Sequence, residues 1–485
     1  MSTPRTPRIP ASWAAVAAAA ALGLTVTACS GDDGEPPADG TSAPATAAPG
    51  GSDIGAATAG DPYTPGDGNG GYDVTHYGLT LRLNPGDSVR ALDGTAELTA
   101  TAKQPLARFN LDLAGLSVGG VKVDGAAARH QQRGSELIIT PARPVAPGAQ
   151  FKVTVAYSGT PKEINDPVLG RYGWIRTSDG VFIAGQPSGA HTWFPSNDHP
   201  SDKATFDFDI TVPKGSTVVA NGDQTSSTDG GAHTTWQVKE PMATYLATVD
   251  VGKFNVKKGT TPGGVPIHVA VDPSVETSTV EGVYANTAEI TDAFDKTFGD
   301  YPFSSTGAIV DNADVGFALE TQTRPVFGSF GADPTILAHE LAHEWYGDSV
   351  SVTRWQDIWL NEGFATYAEW TWGERSGGPT VQQQYDLRYR QEGNKDLWDV
   401  PPGDPGRPQM FGRSVYDRGA MTLVALRQKI GTEKFDELLR TWARDHRGGN
   451  VTTGQFIALA NQISGTNLDA FFRAWLYEKG RPSAG

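Results

Sequence analysis

Apolar and polar residues alternate with a period of two in segments such as Tyr77-Gly78-Leu79-Thr80-Leu81-Arg82-Leu83 and Phe151-Lys152-Val153-Thr154-Val155-Ala156-Tyr157. That is the pattern of a strand with one face buried. Clusters of turn-forming residues interrupt it at short intervals, among them Asn84-Pro85-Gly86, Val123-Asp124-Gly125 and Asp229-Gly230-Gly231. Residues 72–255 therefore predict a mainly antiparallel β domain. After Pro273 the period lengthens to that of a helix. The segments 274–297, 334–346, 361–375, 414–430, 433–445 and 467–478 carry this spacing, with Thr432 ahead of Glu433 as one candidate cap. Residues 256–485 thus predict a mostly helical domain, and the fold class expected is α+β with two domains.

The N-terminus follows neither pattern. Arg5 and Arg8 precede an apolar run from about Trp13 to Val26, followed by Val26-Thr27-Ala28-Cys29. The run is shorter than the about 20 residues needed to span a bilayer, and small residues stand where a signal peptidase would cut. This anatomy resembles a bacterial lipoprotein signal over residues 1–28. The resemblance implies that Cys29 becomes the lipidated first residue of an extracytoplasmic, membrane-anchored protein. Residues 29–71 are rich in Gly, Ala, Pro, Ser, Thr and Asp, with no Lys or Arg between Arg8 and Arg82. They predict a flexible tether, because such a stretch buries too little apolar surface to offset the entropy of ordering it.

Composition narrows the function. Across 485 residues the chain is 38% hydrophobic with 12 Trp, enough for large cores. A formal charge of −16, without clustered Lys and Arg, argues against a nucleic-acid partner. A single cysteine leaves no intramolecular disulfide to consider.

The chemistry concentrates in Ala338-His339-Glu340-Leu341-Ala342-His343-Glu344. On a helix, residues four apart share one face, so both imidazoles can reach a single tetrahedral ion. Asp333 and Pro334 suit the N-cap and first position of that helix, and Gly347 suits its stop. Glu340 lies beside the metal's open position, where a carboxylate can accept a proton from water. Two histidines leave zinc short of a protein ligand, and Glu362 in Trp359-Leu360-Asn361-Glu362-Gly363-Phe364-Ala365 is the candidate third.

H-E-x-x-H, eighteen residues, then the Glu of N-E-G-F-A resembles the zinc signature of the M1 family of metallopeptidases. The resemblance implies an N-terminal β domain followed by a thermolysin-like catalytic domain, one zinc per chain, and peptide substrates with a free N-terminus. Gly316-Phe317-Ala318-Leu319-Glu320-Thr321 is similar to the family's G-A-M-E-N motif, with Phe317, Leu319 and Thr321 replacing its Gly, Met and Asn. Through it the resemblance puts Ala318 and Glu320 beside the substrate, Glu320 pairing with the α-ammonium. Ile183-Ala184-Gly185-Gln186-Pro187 looks like the family's loop from the β domain, which implies that Gln186 also lies beside that amine. His199 stands where the pattern has Glu and is not expected to be a ligand. Tyr416, in Ser414-Val415-Tyr416-Asp417-Arg418-Gly419-Ala420, matches the family's catalytic tyrosine, a donor to the oxyanion.

The similarity runs from about Tyr72 to Tyr477, including Tyr301-Pro302-Phe303 and Ala474-Trp475-Leu476-Tyr477. Longer members continue into a helical domain that covers the cleft, so a short form with a more open site, or one covered by a partner, is expected. The reading expected is an aminopeptidase that uses metal-activated water. An endopeptidase, an epoxide hydrolase as in one M1 branch, and a non-catalytic peptide-binding lipoprotein remain the alternatives.

Overall fold

Alternation along the first strands is realised as burial in the computed structural model, which describes residues 53–483. In the strand Tyr72–Leu83 the residues Tyr72, Val74, Tyr77, Leu79, Leu81 and Leu83 turn inward, the phase slipping at a bulge between Val74 and His76. This strand is central to an eight-stranded sheet. It pairs antiparallel with Leu92–Ala102 and parallel with Lys203–Thr211. The other strand pairs of this sheet are antiparallel, as a mainly antiparallel domain requires. The register of the parallel pair sets Tyr77 against Phe206, whose rings stack at 4.8 Å, a cross-strand contact that favours this pairing. A second, five-stranded sheet carries the hairpin of Gly170–Arg176 and Val181–Ala184.

The region expected to be mostly helical opens with another five-stranded sheet, in the order Asn255–Thr260, Pro266–Val271, Thr306–Val310, Val326–Phe327, Ala318–Leu319. Thr306–Val310 is buried at every position, so its sequence shows no alternation to betray it. The helices are α1 (Val280–Phe298), α2 (Pro334–His343), α3 (Trp359–Arg375), α4 (Val381–Tyr389), α5 (Lys395–Trp398), α6 (Gly419–Ile430), α7 (Thr432–Asp445), α8 (Thr453–Ser464) and α9 (Asp469–Phe472). The periodicity misses α4, the single turn of α5 and α8, although α4 and α8 each start with a Thr-x-x-Gln capping box, Thr380 with Gln383 and Thr452 with Gln455. Thr432 is not a cap: it is the first residue of α7, and Gly431 at φ 85° precedes it without a side-chain bond. Among the described residues no helix is long and apolar enough to cross a membrane.

Cys29 and the expected signal segment lie outside the described residues. The expected tether over 29–71 requires a correction at its C-terminal end, because residues from Asp53 onward are packed on the domains. Asp61 is 2% exposed and accepts hydrogen bonds from the N–H groups of Tyr63 and Trp355, both at 2.8 Å. His199 reaches the same carboxylate at 3.3 Å, in keeping with its exclusion from the ligand set. The Tyr63 hydroxyl donates to Asp404 at 2.6 Å. A few well-placed polar and aromatic groups hold this stretch where its composition alone would leave it free.

Burial would raise the Asp61 carboxyl, but His199 and the two N–H donors hold it below its ordinary value. Asp61→Ala is expected to cost about 2–3 kcal/mol in urea unfolding at neutral pH, because it strands buried donors. The sign follows from the lowered folded-state pKa. The contribution is fully present above the unfolded value of about 3.9 and fades as pH falls through the folded one, so variant and wild type converge in acid. Equal stability at neutral pH would rule out a role for Asp61 in docking this segment.

Candidate metal centre and active site

Helix α2 starts where the sequence places it. Asp333 caps it, accepting from the Thr335 N–H at 2.9 Å, and Pro334 occupies the first turn. The helix ends at His343, three residues short of expectation, and the chain turns back through Gly347 at φ 143°. Helix α3 packs against α2 and carries Glu362 in its first turn. Behind this pair the aromatic rings interlock. Tyr346 meets Phe364 at 4.7 Å and Phe298 at 5.1 Å, and Phe364 meets Phe456 at 5.3 Å.

On the other side of the seam, His339 Nε2 and His343 Nε2 each lie 3.4 Å from Glu362 Oε2, and the three residues offer ligand atoms within 4.8 Å of one another. Ligand atoms about 2.05 Å from a tetrahedral zinc stand about 3.3 Å apart, so both histidine–glutamate spacings suit such an ion. The far nitrogens are held as well. His343 Nδ1 donates to the Tyr346 carbonyl at 3.0 Å, and His339 Nδ1 faces the Glu369 carboxylate at 3.4 Å. Both contacts leave Nε2 free to ligate. Glu369 escaped the sequence reading, although it lies seven residues beyond Glu362 and hence on the same face of α3.

The electrostatics match a cation site. Burial lowers the His339 and His343 imidazoles, but Glu362 and, for His339, Glu369 outweigh it and raise them. Burial likewise opposes the Glu362 charge, and the two imidazoles overcome it and hold this carboxyl well below its usual range. A divalent ion would take the place of the imidazole protons, so its affinity must weaken as pH falls. Glu340, 6% exposed, is pushed up to about 7 by burial against the pull of the two histidines.

The remaining sequence candidates gather here from distant elements. Glu320, 2% exposed, follows the edge strand Ala318–Leu319, on which Ala318 is half-buried. Gln186 lies just past the hairpin strand Val181–Ala184 and donates to Glu320 Oε1 at 2.7 Å. Glu320, Glu340 and His343 each present an atom within 4.8 Å of the others. Tyr416 stacks on His339 with ring centroids 5.9 Å apart. Burial, then the carboxylates of Glu362, Glu320 and Glu340, raise its phenol well above the ordinary value and keep it protonated.

Tyr416 stands in a π-helical turn, Ser414–Arg418, leading into α6. Two features hold the turn in place. The α carbons of Gly363 and Gly419 meet so closely that a methyl on Gly363 would lie 3.0 Å from Gly419 Cα, which lets α3 and α6 touch at backbone distance. The buried Arg418 guanidinium donates to the carbonyls of Trp398, Ala474, Trp475 and Glu478.

A helical H-E-x-x-H with a distant glutamate, facing a buried carboxylate and a protonated phenol, defines the class of metal-dependent hydrolases. The Peptidase M1 N-terminal domain matches residues 73–246, and the Peptidase family M1 domain matches residues 332–475. The M1 zinc metallopeptidase from Deinococcus radiodurans superposes with a TM-score of 0.79 at 30% identity, covering 87% of this chain and 98% of that one. A mutant of that protein bound to a Tyr-Ser-Ala substrate superposes at 0.80, covering 88% and 99%. Human glutamyl aminopeptidase is 25% identical over 378 residues, 68% of this chain and 38% of its own length. Probable aminopeptidase 1 of Sulfurisphaera tokodaii is 23% identical over 417 residues, 77% of this chain and 50% of its own. The chain thus spans between about a third and a half of these curated relatives. It belongs to peptidase family M1.

Glu369→Ala is expected to leave the fold intact and to weaken zinc retention about 10- to 100-fold, because it frees the His339 ring to rotate. Competition with a chromophoric chelator measures it. Unchanged affinity would remove Glu369 from the support of the ligand set.

Proposed function

We propose that the chain is a zinc-dependent aminopeptidase that removes the first residue of peptides, with His339, His343 and Glu362 as the metal ligands. The observation that carries this reading is the proximity of Glu320, Glu340 and His343 within 4.8 Å. In an amino acid the α-nitrogen and the carbonyl carbon are about 2.5 Å apart, and each further residue adds about 3.8 Å. A peptide anchored by its ammonium at Glu320 therefore presents its first peptide bond, and no later one, to the base and the metal. The solved neighbours with L-arginine or a Tyr-Ser-Ala substrate bound support the substrate class.

Bound between the three ligands, zinc supplies Lewis-acid polarisation of the scissile carbonyl and lowers the pKa of a water toward about 7. The protein does the rest. Glu340 accepts the proton of the attacking water and delivers it to the departing amine. Its raised proton affinity suits both steps, because a carboxyl near neutrality exchanges protons in either direction. Tyr416 donates its phenolic proton in a hydrogen bond to the oxyanion that grows on the carbonyl, and it can do so because its environment forbids ionisation. Glu320 meets the α-ammonium with a charge-assisted bond, and Gln186 holds Glu320 in the orientation that receives it.

Glu340→Gln is expected to lower kcat by about 10²- to 10⁴-fold. Its metal content should be unchanged by mass spectrometry, and wild-type turnover in the variant would refute the assignment of the base. N-acetylation of an aminoacyl substrate is expected to reduce kcat/KM about 10- to 100-fold through loss of the ammonium contact. Equal cleavage of the free and acetylated forms would point to an endopeptidase.

A further inference from the structure

Outside the active site three carboxylates meet at one point. Asp179 lies in the turn of the hairpin between Gly170–Arg176 and Val181–Ala184, Asp272 directly follows Pro266–Val271, and Asp311 directly follows Thr306–Val310. One oxygen from each lies within 4.8 Å of the others. The topology forces two of them together. Pro266–Val271 and Thr306–Val310 are parallel neighbours with Val271 opposite Val310, so the next residue of each leaves the same end of the sheet side by side. Backbone bonds from Asp272 N–H to the Val310 carbonyl and from Asp311 N–H to the Phe327 carbonyl, at 2.8 and 2.9 Å, fix both positions.

The polar groups around this cluster do not balance it. Asp311 is 0% exposed; its Oδ1 accepts from the Asn312 N–H at 2.5 Å, and its Oδ2 has no hydrogen-bond partner. Asn312 Nδ2 donates to Asp272 Oδ2 at 2.6 Å and to Asp179 Oδ1 at 3.2 Å. Ser274 donates its N–H and hydroxyl to Asp272 Oδ1, and the Lys253 N–H donates to Asp179 Oδ2. The charges acting on Asp311 come from Asp250, Asp272 and Asp179, and all are negative. Like charges gathered in a buried place persist only with a proton or a cation among them.

We propose that Asp179, Asp272 and Asp311 form a binding site for a hard divalent cation of the calcium class. The donors are all oxygens, with no imidazole or thiolate to favour zinc. Ligands on opposite sides of a calcium ion at about 2.4 Å stand about 4.8 Å apart, a span these three carboxylates can meet. Rotating the Asn312 amide by half a turn would put its Oδ1 where Nδ2 now points and give the ion a fourth oxygen, in exchange for the bond that Oδ1 now accepts from the Ser178 N–H at 3.5 Å. The ion ties a hairpin of the N-terminal region to two neighbouring strands of the sheet that opens the catalytic region. Both tied segments lead into the active site, for Gln186 follows Asp179 by seven residues and Glu320 follows Asp311 by nine.

The test uses the full zinc-loaded protein, freed of other divalent ions on a chelating resin and returned to one zinc per chain, with calcium chloride as the probe. Calcium is expected to bind at one ion per chain by mass spectrometry and to raise Tm saturably by about 3 °C or more, with zinc content unchanged. Asp179→Asn, in a half-buried turn, and Asp311→Asn are each expected to weaken calcium binding at least about 10-fold. Should Asp311→Asn not fold, Asp179→Asn carries the comparison alone. Absence of bound calcium with an unmoved Tm would overturn the proposal in favour of a shared proton, and undiminished binding in the variants would place the calcium elsewhere. Neither result bears on the zinc site, whose occupancy is measured in the same samples.

Discussion

The Glu362 carboxylate lies between the buried His343 imidazole and the largely buried one of His339, 3.4 Å from each. Everything else near the active site is arranged so that this contact can exist. A carboxylate 2% exposed is costly to bury, and it is tolerated because His339 and His343 face it and, with a cation, share its charge. Their separation depends on how closely α2 and α3 lie, which the rings of Phe298, Tyr346, Phe364 and Phe456 determine from behind. Loosening that aromatic wedge would widen a tetrahedral set whose tolerance is a few tenths of an ångström.

The second tier of the site has a different physical origin. Tyr416 reaches His339 because α3 and α6 meet glycine to glycine at Gly363 and Gly419, and because Arg418 satisfies three carbonyls of the C-terminal segment and that of Trp398 in α5 and so fixes the π-helical turn. Gln186 arrives from the β domain and meets Glu320 from the edge of the catalytic sheet. The pair that would receive the substrate amine is thus split between the two regions of the chain, and their relative position matters as much as the geometry of the metal ligands.

Local sequence was informative where short-range physics decides the outcome. The strand Tyr72–Leu83 and the start of α2 at Pro334 could be read because alternation and capping act over a few residues. The central sheet of the catalytic region was hidden, because Thr306–Val310 is buried on both faces and carries no period. The packing of residues 53–71 was hidden too. Their composition is that of a tether, and partners distant in sequence, among them Trp355, His199, Asp404 and Asn197, hold them. Glu369 went unread for a similar reason: a glutamate two turns from a ligand is ordinary until the partner helix sets His339 opposite it.

By itself the sequence determined the ligand types and their spacing, because four residues along a helix and a second helix some twenty residues on are local rules of reach. It also determined the division of the chain into a β-rich and a helix-rich region. Only the tertiary structure decided that Gln186, Glu320, Glu340 and Tyr416 surround one point, since they come from separate elements brought together by packing. It alone set the direction of the proton affinities there as well, because what raises Glu340 and Tyr416 and lowers Glu362 is burial together with Glu320, Glu362 and the two histidines brought up by packing.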